Sequence, residues 1–299
     1  MFPKEAVEVI ERHALDRYKL TELVTDAEVL QKLEPSMELL QTILTFRGLM
    51  KEKDVLEAAR KIVKQVVEQL KKRFESEIRR TLWGRANRMR HSPAKVTQNF
   101  DWRKTIKRNL KNYSLEKKVL VAEKLSFFSR IEQRLPWHII ISVDQSGSMA
   151  ESVIHSAVMA SILSSLPSLG IKLLVFDTSI VDLSQHIDDP VEVLMSVQLG
   201  GGTDISQAVK YCETLINNPH RTIFVLISDF CEGGSVKELL ATVSRLSQSG
   251  VKLLGLAALN ETSIPSYDGT MARRLSEVGM EIAALTPMRF AEWLAKAIS

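Results

Sequence analysis

WHIIISVDQSGSM, residues 137–149, is the stretch that decides the fold of this chain. Its first eight residues form a nearly continuous apolar run that ends in Asp144. Such a run is typical of a strand that is buried on both faces of a parallel sheet. Short polar residues follow at the point where the chain leaves this strand. Because open α/β sheets bind ligands beyond the carboxyl ends of their strands, the stretch predicts both a fold class and the place of a site.

Downstream of this stretch, strands and helices alternate to the C-terminus. Apolar runs predict further strands at 170–177, 221–230, 251–259 and 279–285, and the run 179–184 predicts a short antiparallel edge strand. Helical spacing of apolar residues predicts the intervening helices, which are 152–166, 205–216, 235–248, 268–278 and 287–298. This alternation predicts an α/β fold in which a doubly wound, mostly parallel, Rossmann-like sheet is covered on both faces.

The part of the chain before this domain has a different pattern. Residues 1–90 show helical spacing without strand-like alternation, so we expect an all-helical N-terminal domain. Residues 91–135 contain turn formers followed by a basic segment, which predicts an arm or linker. Pro136 is the expected boundary, and the α/β domain is predicted over 136–299.

The composition is typical of a globular protein. Apolar residues make up 45% and charged residues 25% of the 299 residues, and there is no run of 18 apolar residues that would predict a membrane span. The first residues lack an apolar signal-peptide core, so we expect a cytoplasmic location. Two cysteines, Cys212 and Cys231, do not form a disulfide framework, and each is expected to be a small buried residue.

The charge is distributed unevenly along the chain. Residues 79–118 hold 13 basic and two acidic residues, a net of +11, whereas 136–299 have a net charge of −7. This basic segment can be a solvated face, a dock for the acidic domain of the same chain, or a binding surface for a partner protein. Interleaved aromatic residues also make nucleic acid a candidate partner. They are Trp83, Phe100, Trp102 and Tyr113.

Three short polar segments are expected to meet at one edge of the sheet. They are Asp144-Gln145-Ser146-Gly147-Ser148, Gly200-Gly201-Gly202-Thr203-Asp204 and Ser228-Asp229. Carboxylate and hydroxyl oxygens are the ligands that a hard cation such as Mg²⁺ prefers. We therefore predict a metal site that leaves one position for an outside ligand. Its expected ligands are Asp144, Ser146, Ser148, Thr203 and Asp229.

The surrounding residues have expected roles of their own. Asp204 is predicted to orient a metal-bound water without binding the ion. Gly147 is expected to let the backbone bend between the two serines, and the three glycines before Thr203 to let that loop approach closely. Asp177 is interpreted as a turn or cap residue. The histidines lack the spacing of a zinc site, and we find no nucleophile elbow, phosphate loop or dinucleotide fingerprint, so an enzyme is not expected.

The order of these motifs resembles that of the von Willebrand factor A (VWA) domain over residues 137–299. The resemblance implies that the same five residues form a metal-ion-dependent adhesion site, with Mg²⁺ as the expected ion and Mn²⁺ or Ca²⁺ as alternatives. It also implies that an acidic residue of a partner protein completes the coordination. The segments DWRKTIKRNLK, FFSR and PWHIIISVDQSGSM are similar to bacterial CoxE-like proteins. That resemblance implies pairing with a MoxR-type AAA+ ATPase in chaperone-like assembly or metal-centre maturation.

These observations leave three functional hypotheses. The first is an intracellular, non-enzymatic adaptor that binds an AAA+ ATPase or its client through the metal. The second is an RNA-binding protein that uses the basic arm. The third is a metal-dependent hydrolase, or the non-catalytic subunit of a chelatase-like complex, although a lone Mg²⁺ site without a general base supports hydrolysis poorly.

Overall fold

A computed structural model describes eight parts of the chain, which are residues 26–50, 52–82, 86–91, 100–114, 117–130, 137–166, 169–257 and 267–298. The strands are β1 (Ala86–His91), β2 (Tyr113–Ser114), β3 (Val119–Leu120), β4 (Phe128–Arg130), β5 (Trp137–Asp144), β6 (Leu169–Phe176), β7 (Ile180–Asp182), β8 (Thr222–Ile227), β9 (Lys252–Leu256) and β10 (Glu281–Ala283). The helices are α1 (Ala27–Lys32), α2 (Met37–Phe46), α3 (Lys53–Leu82), α4 (Trp102–Asn109), α5 (Ala150–Ser164), α6 (Pro190–Ser196), α7 (Ile205–Thr214), α8 (Val236–Gln248), α9 (Gly269–Glu277) and α10 (Pro287–Ile298).

Six strands form the central sheet in the order β10-β9-β8-β5-β6-β7. Every neighbouring pair is parallel except β6 and β7, so β7 is the antiparallel edge strand that the sequence predicted. The predicted doubly wound, mostly parallel α/β fold is therefore confirmed. From β5 the chain continues to β6, which lies on one side of β5 in the sheet. It later reaches β8, which lies on the other side of β5. This reversal of strand order places a topological switch point between β5 and β8, where such sheets bind ligands.

The predicted elements agree closely with the structure at this centre. β5 spans the eight residues expected of it, and α10 begins and ends where its apolar spacing indicated. One helix, α6, was not predicted. Its start has a recognisable signal, because the Asp189 side chain accepts hydrogen bonds from the backbone of Val191 and Glu192, and Pro190 occupies the first turn.

Helices cover both faces of the sheet, and β5 shows why. Its alternate residues Ile139 and Ile141 point into one apolar cluster, which also contains residues of α5 and α10. Ile140 points to the opposite cluster, which contains residues of α7, α8 and α9. Because every side chain from Ile139 to Asp144 is buried, the strand reads as a continuous apolar run in the sequence.

The N-terminal helices α1, α2 and α3 add a fourth layer, outside the helices on the α5 face. Their buried residues belong to the same continuous apolar cluster as those of β5, α5 and α10. Polar contacts also join the layers, since Lys71 donates to the Ser161 hydroxyl over 3.3 Å and Arg79 to the Ser165 hydroxyl over 2.9 Å. Helix α5 is buried along 13 of its 15 residues, because it lies between the sheet and this layer.

Helix α3 is 30 residues long and strongly amphipathic. Its buried residues recur at helical spacing, as the sequence predicted, and the remaining positions are rich in Lys, Arg and Glu. Within the described ranges, no helix combines the length and the apolar composition that crossing a bilayer requires. The buried residues of α3 are Val55, Ala58, Ala59, Ile62, Val63, Val66, Val67, Phe74 and Ile78.

The segment between α3 and β5 contains two small antiparallel sheets. β1 pairs with β4, and β2 pairs with β3. The expectation that residues 1–90 are helical throughout is therefore wrong at its C-terminal end, because residues 86–90 belong to β1. The partner of β1 lies about 40 residues further along the chain, so no local periodicity could reveal the pairing. The proposed domain limits at residues 90 and 135 stay a prediction.

His155 of α5 lies between the sheet and the helical layer, and its titration should affect stability. Its ring is buried against the Phe74 ring, with the ring centroids 5.8 Å apart. Burial, assisted by the positive charge of Arg73, lowers the pKa of His155 to about 4 from 6.5. The unfolded chain therefore binds one more proton than the folded chain between these values. Stability is complete above pH 6.5 and falls as the pH drops towards 4.

We expect this histidine to remove about 2 kcal/mol of unfolding free energy between pH 7 and pH 5. The measurement is urea unfolding at several pH values, comparing the chain with a His155→Leu variant that cannot titrate there. The difference in unfolding free energy between the two proteins should change by this amount across that pH range. A difference that stays constant with pH would show that His155 is not buried as a neutral group.

Candidate metal centre

Asp144 is the centre of the predicted site and is completely buried at the end of β5. One carboxylate oxygen, Oδ1, accepts a hydrogen bond from the backbone N–H of Ser146 at 2.8 Å. The other, Oδ2, accepts one from the hydroxyl of Ser228 at 2.8 Å. Ser228 follows β8, so this second bond joins the two strands that flank the switch point. The sequence placed Ser228 at the site but gave it no role.

The charge on Asp144 is energetically unfavourable in this position. Burial raises its pKa, hydrogen bonds from Ser146 and Ser228 oppose that rise, and the negative charge of Asp229 adds to it. The two predicted carboxylate ligands are therefore close enough to repel each other. A cation placed between them would offset both the repulsion and the loss of hydration.

Asp229 lies in a tight turn after β8. The Ser228 hydroxyl accepts a hydrogen bond from the backbone N–H of Phe230 at 3.0 Å, and Asp229 Oδ1 accepts one from that of Cys231 at 3.0 Å. Phe230 has a φ of 60°, a left-handed conformation that is unfavourable for a residue with a large side chain. Its completely buried ring holds the turn in place, because the ring is part of the apolar cluster under α7, α8 and α9.

The loop that carries Thr203 is held from three sides. Gly200 donates its backbone N–H to the Gln145 carbonyl at 3.0 Å, and Asp204 donates to the Asp177 carbonyl at 2.9 Å. The Thr203 carbonyl accepts from Gly233 at 2.9 Å. Gly200 has a φ of 125°, a backbone conformation that favours glycine. The sequence predicted close approach of the loop instead, and at Gly200 a Cβ atom would meet nothing within 4 Å. These contacts bring all three predicted segments together at the carboxyl edge of the sheet.

Two glycines after Asp229 allow this arrangement, and the sequence did not reveal their role. A Cβ atom on Gly233 would lie 2.6 Å from the Thr203 carbonyl oxygen. A Cβ atom on Gly234 would lie 2.5 Å from Asp204 Oδ1. Both distances are too short for any side chain, so the Gly233-Gly234 pair is what lets the loop after β8 pack directly on the Thr203 loop.

Asp204 has a structural role that the sequence did not predict. It is the N-cap of α7, and its Oδ1 accepts a hydrogen bond from the backbone N–H of Gln207 at 2.8 Å. Glu232 lies beside it, where Oε1 accepts from Gly234 at 2.7 Å. Burial raises the pKa of Glu232, and the charge of Asp204 raises it further. The role of Asp204 in orienting a metal-bound water stays a prediction.

The serines of the first segment are placed on a short 3-10 turn. Ser146 is half-buried and precedes this turn, which spans Gly147–Met149. The side chain of Ser148 lies outside the described part of the structure. Gly147 does not have a positive φ, and a Cβ atom there would meet nothing within 4 Å. The expected need for glycine at this bend is therefore wrong, because the turn has an ordinary backbone conformation.

Two further expectations concern Asp177 and the cysteines. Asp177 is a turn residue, as interpreted, since its Oδ1 accepts from the backbone N–H and the hydroxyl of Ser179. Cys212 is buried, and burial raises its pKa to about 12. Cys231 is exposed, so the expectation that both cysteines are buried is wrong. It lies in the irregular segment after β8, where the preceding residue, Phe230, occupies the buried position.

The donor set fits a hard divalent cation. Asp144, Asp229, Ser146 and Thr203 offer carboxylate and hydroxyl oxygens, which Mg²⁺ and Mn²⁺ prefer to nitrogen or sulfur. Among the residues that the structure describes, no three His, Cys, Asp or Glu side chains form a metal-binding group. The site therefore depends on hydroxyl groups together with two carboxylates, and its assignment as a metal centre stays a prediction.

Comparison with known proteins identifies the family. Residues 74–294, about three quarters of the chain, match the family model described as "VWA domain containing CoxE-like protein". The chain belongs to this CoxE-like VWA family. The match begins within α3, so the family includes part of the helical layer and the whole basic segment.

A close relative of this CoxE-like VWA protein occurs in Escherichia coli (strain K12). It is "Uncharacterized protein YehP", which is 45% identical over 297 residues, covering 99% of this chain and 78% of the relative. A solved von Willebrand factor type A structure from Catenulispora acidiphila is similar over 58% of this chain and 43% of its own, with 12% identity and a TM-score of 0.42. An aerotolerance-related membrane protein from Bacteroides fragilis NCTC 9343 is similar over 54% of this chain and 96% of its own, with 15% identity and a TM-score of 0.41.

Ser228→Ala should weaken metal binding, because Asp144 loses the hydroxyl that orients its carboxylate. We expect the affinity for Mn²⁺ to fall about tenfold or more, as is usual when a group supporting a ligand is removed. Calorimetric titration with Mn²⁺ measures this change. Ser179→Ala is the matched control, since it removes a serine that bonds Asp177, a neighbouring carboxylate outside the predicted ligand set. Equal affinities in the two variants would contradict the role of Ser228.

Gly233→Ala should displace the Thr203 loop, because the new methyl group would collide with the Thr203 carbonyl. We expect a loss of about 1–3 kcal/mol in unfolding free energy, together with weaker Mn²⁺ binding. Gly269→Ala is the control, since a Cβ atom there meets nothing within 4 Å. Thermal unfolding and Mn²⁺ titration of both variants test the expectation. A Gly233→Ala protein with unchanged Mn²⁺ affinity would rule out this support of Thr203.

Proposed function

We propose that this protein is an intracellular, divalent-metal-dependent protein-binding adaptor. In this proposal the candidate centre would hold Mg²⁺, which would supply a positive charge for a carboxylate of a partner protein. The observation that carries the proposal is the burial of Asp144 beside Asp229 at the switch point of the sheet. Two repelling carboxylates in such a place favour a bound cation. The proposed ligands are Asp144, Ser146, Ser148, Thr203 and Asp229.

Contacts within the chain preorganise this centre before a partner binds. Hydrogen bonds fix both carboxylate oxygens of Asp144, and the Gly233 contact fixes the Thr203 loop. Because little ordering remains to be done on binding, a preorganised centre of this kind favours affinity. A bound Mg²⁺ supplies positive charge that attracts an outside carboxylate.

The acidic character of the domain supports strict dependence on the metal. Residues 136–299 carry a net charge of −7, and Asp204 and Glu232 lie beside the centre. Without a cation, this surface repels the carboxylate of a partner. With a cation, the sign of the local field is reversed. The metal would therefore decide whether this centre binds a partner's carboxylate.

The proposed partner is a MoxR-type AAA+ ATPase or its client protein. Membership of the CoxE-like VWA family supports this choice, since the family resemblance implies such a pairing in chaperone-like assembly or metal-centre maturation. In this arrangement the protein would supply the contact with the client, and the ATPase would supply the energy for assembly or maturation. A non-catalytic subunit of a chelatase-like complex is a variant of the same arrangement.

We infer that the centre does not catalyse a reaction. Its carboxylates accept hydrogen bonds that hold the loops, including those from Ser146 to Asp144, Cys231 to Asp229 and Gln207 to Asp204. This engagement favours a role in holding a ligand over one in proton transfer. Hydrolysis of a simple phosphoester by the protein with Mg²⁺, abolished by Asp229→Ala, would instead identify an enzyme.

The test is affinity capture from cells with the full chain, in Mg²⁺ and in EDTA, preceded by Mn²⁺ titration of the purified protein. We expect one molar equivalent of Mn²⁺ to bind and Asp144→Ala to abolish it. We expect the same variant, like EDTA, to remove at least nine tenths of the captured AAA+ ATPase or client, because the cation bridges the two proteins.

Glu281→Ala is the control for this experiment. Glu281 is an exposed carboxylate at the start of the edge strand β10. Its replacement by alanine removes one negative charge, as Asp144→Ala does, but leaves the candidate centre unaltered. The proposal predicts normal Mn²⁺ binding and normal capture by this variant. Capture that Asp144→Ala and EDTA leave unchanged would overturn the proposed mechanism.

A further inference from the structure

Helix α4, in the basic segment, buries its polar side and exposes its apolar side. Its buried residues are Thr105 and Asn109, preceded by the buried N-cap Asp101. These positions are four residues apart and therefore lie on one face of the helix. In most surface helices this inward face is apolar. Because the pattern of α4 is reversed, other contacts must hold the helix in place. Its exposed apolar residues also require an explanation.

Hydrogen bonds hold the helix to residues 123–126, which lie in an irregular segment between β3 and β4. The Asn109 side chain donates to the Lys124 carbonyl at 2.9 Å and accepts from the backbone N–H groups of Glu123 and Lys124. The Thr105 hydroxyl accepts from the backbone of Ser126 at 3.0 Å. Because these buried polar groups are paired, the helix docks without using its apolar residues.

The apolar residues of the helix form an exposed stripe. Trp102 is 57% exposed, Ile106 is 39% exposed, and Leu110, just after the helix, is 60% exposed. They are four residues apart and lie on one side. In the described structure, eight of the twelve exposed large apolar side chains lie between residues 100 and 125, so this concentration is specific to the segment. The other five are Phe100, Tyr113, Val119, Val121 and Leu125.

A groove adjoins this stripe. Trp102 and Ile106 from the helix and Phe128 from β4 line an open depression of about 580 Å³. Arg103 and Lys107 are also part of its lining. A concave apolar site with charged groups at its border is suited to the side chains of a peptide. We call the exposed stripe and this depression together the arm groove.

The charge around the arm groove is positive except for Asp101, which also lines the depression but is buried as the N-cap of α4. Residues 102–112 contain five basic and no acidic residues. The Arg103 guanidinium lies over the Trp102 ring, 5.1 Å from its centroid, which keeps a positive charge beside the apolar stripe. A partner must therefore offer apolar side chains and negative charge together.

These features distinguish among possible anionic partners. Phosphates and stacked bases of RNA would use the basic residues and Trp102, but they would leave Ile106 and Leu110 exposed. A lipid surface is flat and would not fill a groove. An amphipathic peptide helix with acidic and apolar residues matches both the shape and the charge.

We propose that the arm groove is a docking site for an acidic amphipathic segment of a partner protein, and that this docking does not need the metal centre. The apolar residues of the segment would cover Trp102, Ile106 and Leu110. Its acidic residues would face Arg103 and Lys107. The protein would then have two contact surfaces with different chemistry.

The test is selection from a random peptide library displayed on phage, using the immobilised full chain in EDTA. We expect a consensus of Asp or Glu with apolar residues at helical spacing. A synthetic peptide of that consensus should bind with a micromolar Kd in fluorescence anisotropy. Trp102→Ala and Lys107→Glu should each weaken binding of this peptide at least tenfold. A higher salt concentration should also weaken binding at least tenfold, because it screens the charged contacts.

Lys210→Glu and Tyr211→Ala are the matched controls, since these side chains are exposed on α7, and both variants should bind normally. Asp144→Ala should also bind normally, which separates this proposal from that for the metal centre. A neutral or basic consensus, or equal binding by Trp102→Ala, would overturn the proposal. So would tighter, Trp102-dependent binding of a U-rich RNA or of phosphatidylserine vesicles, or self-association in sedimentation that Trp102→Ala abolishes.

Discussion

The structure around the candidate centre depends on one constraint, which is that the carboxylate of Asp144 is completely buried at the end of β5. An unpaired buried charge costs several kcal/mol, so neighbouring groups must compensate for it. The Ser228 hydroxyl and the Ser146 backbone do so at 2.8 Å each. Ser228 can reach Asp144 only because β8 is the direct neighbour of β5 and because the strained turn at Phe230 is held by its buried ring. The sheet order and the local turn thus serve the same interaction.

The same stretch of sequence connects this centre to the helical layer. The loop after Asp144 leads directly into α5, and α5 is buried between the sheet and α3. A helix with so few exposed residues is a core element, and it gives the loop a fixed end. The helical layer is therefore part of the packing that supports the centre. The family match that begins inside α3 agrees with this architecture.

The two proposed contact surfaces use opposite physical principles. The metal centre sits in an acidic domain and would attract a carboxylate through one concentrated positive charge. The arm groove combines apolar surface with spread positive charge, so it would select a segment by shape and composition. Binding at two separate places on one partner raises the overall affinity beyond that of either contact. An adaptor built in this way could hold a partner loosely through the arm and firmly when the metal is bound.

The sequence by itself determined that the domain has a mostly parallel sheet and in what order its strands and main helices follow one another along the chain. It also determined the polar segments at the carboxyl ends of the strands. It could do so because a buried parallel strand leaves a local apolar run, as in WHIIISVD, and the chemistry follows where that run stops. Tertiary structure alone decided which groups support those segments. Ser228 bonds Asp144 across 84 residues, Gly233 packs on Thr203, and β1 pairs with β4, all between segments far apart in the chain. The polar burial of α4 was hidden for the same reason, because Asn109 is satisfied by backbone groups that only the folded chain brings within reach.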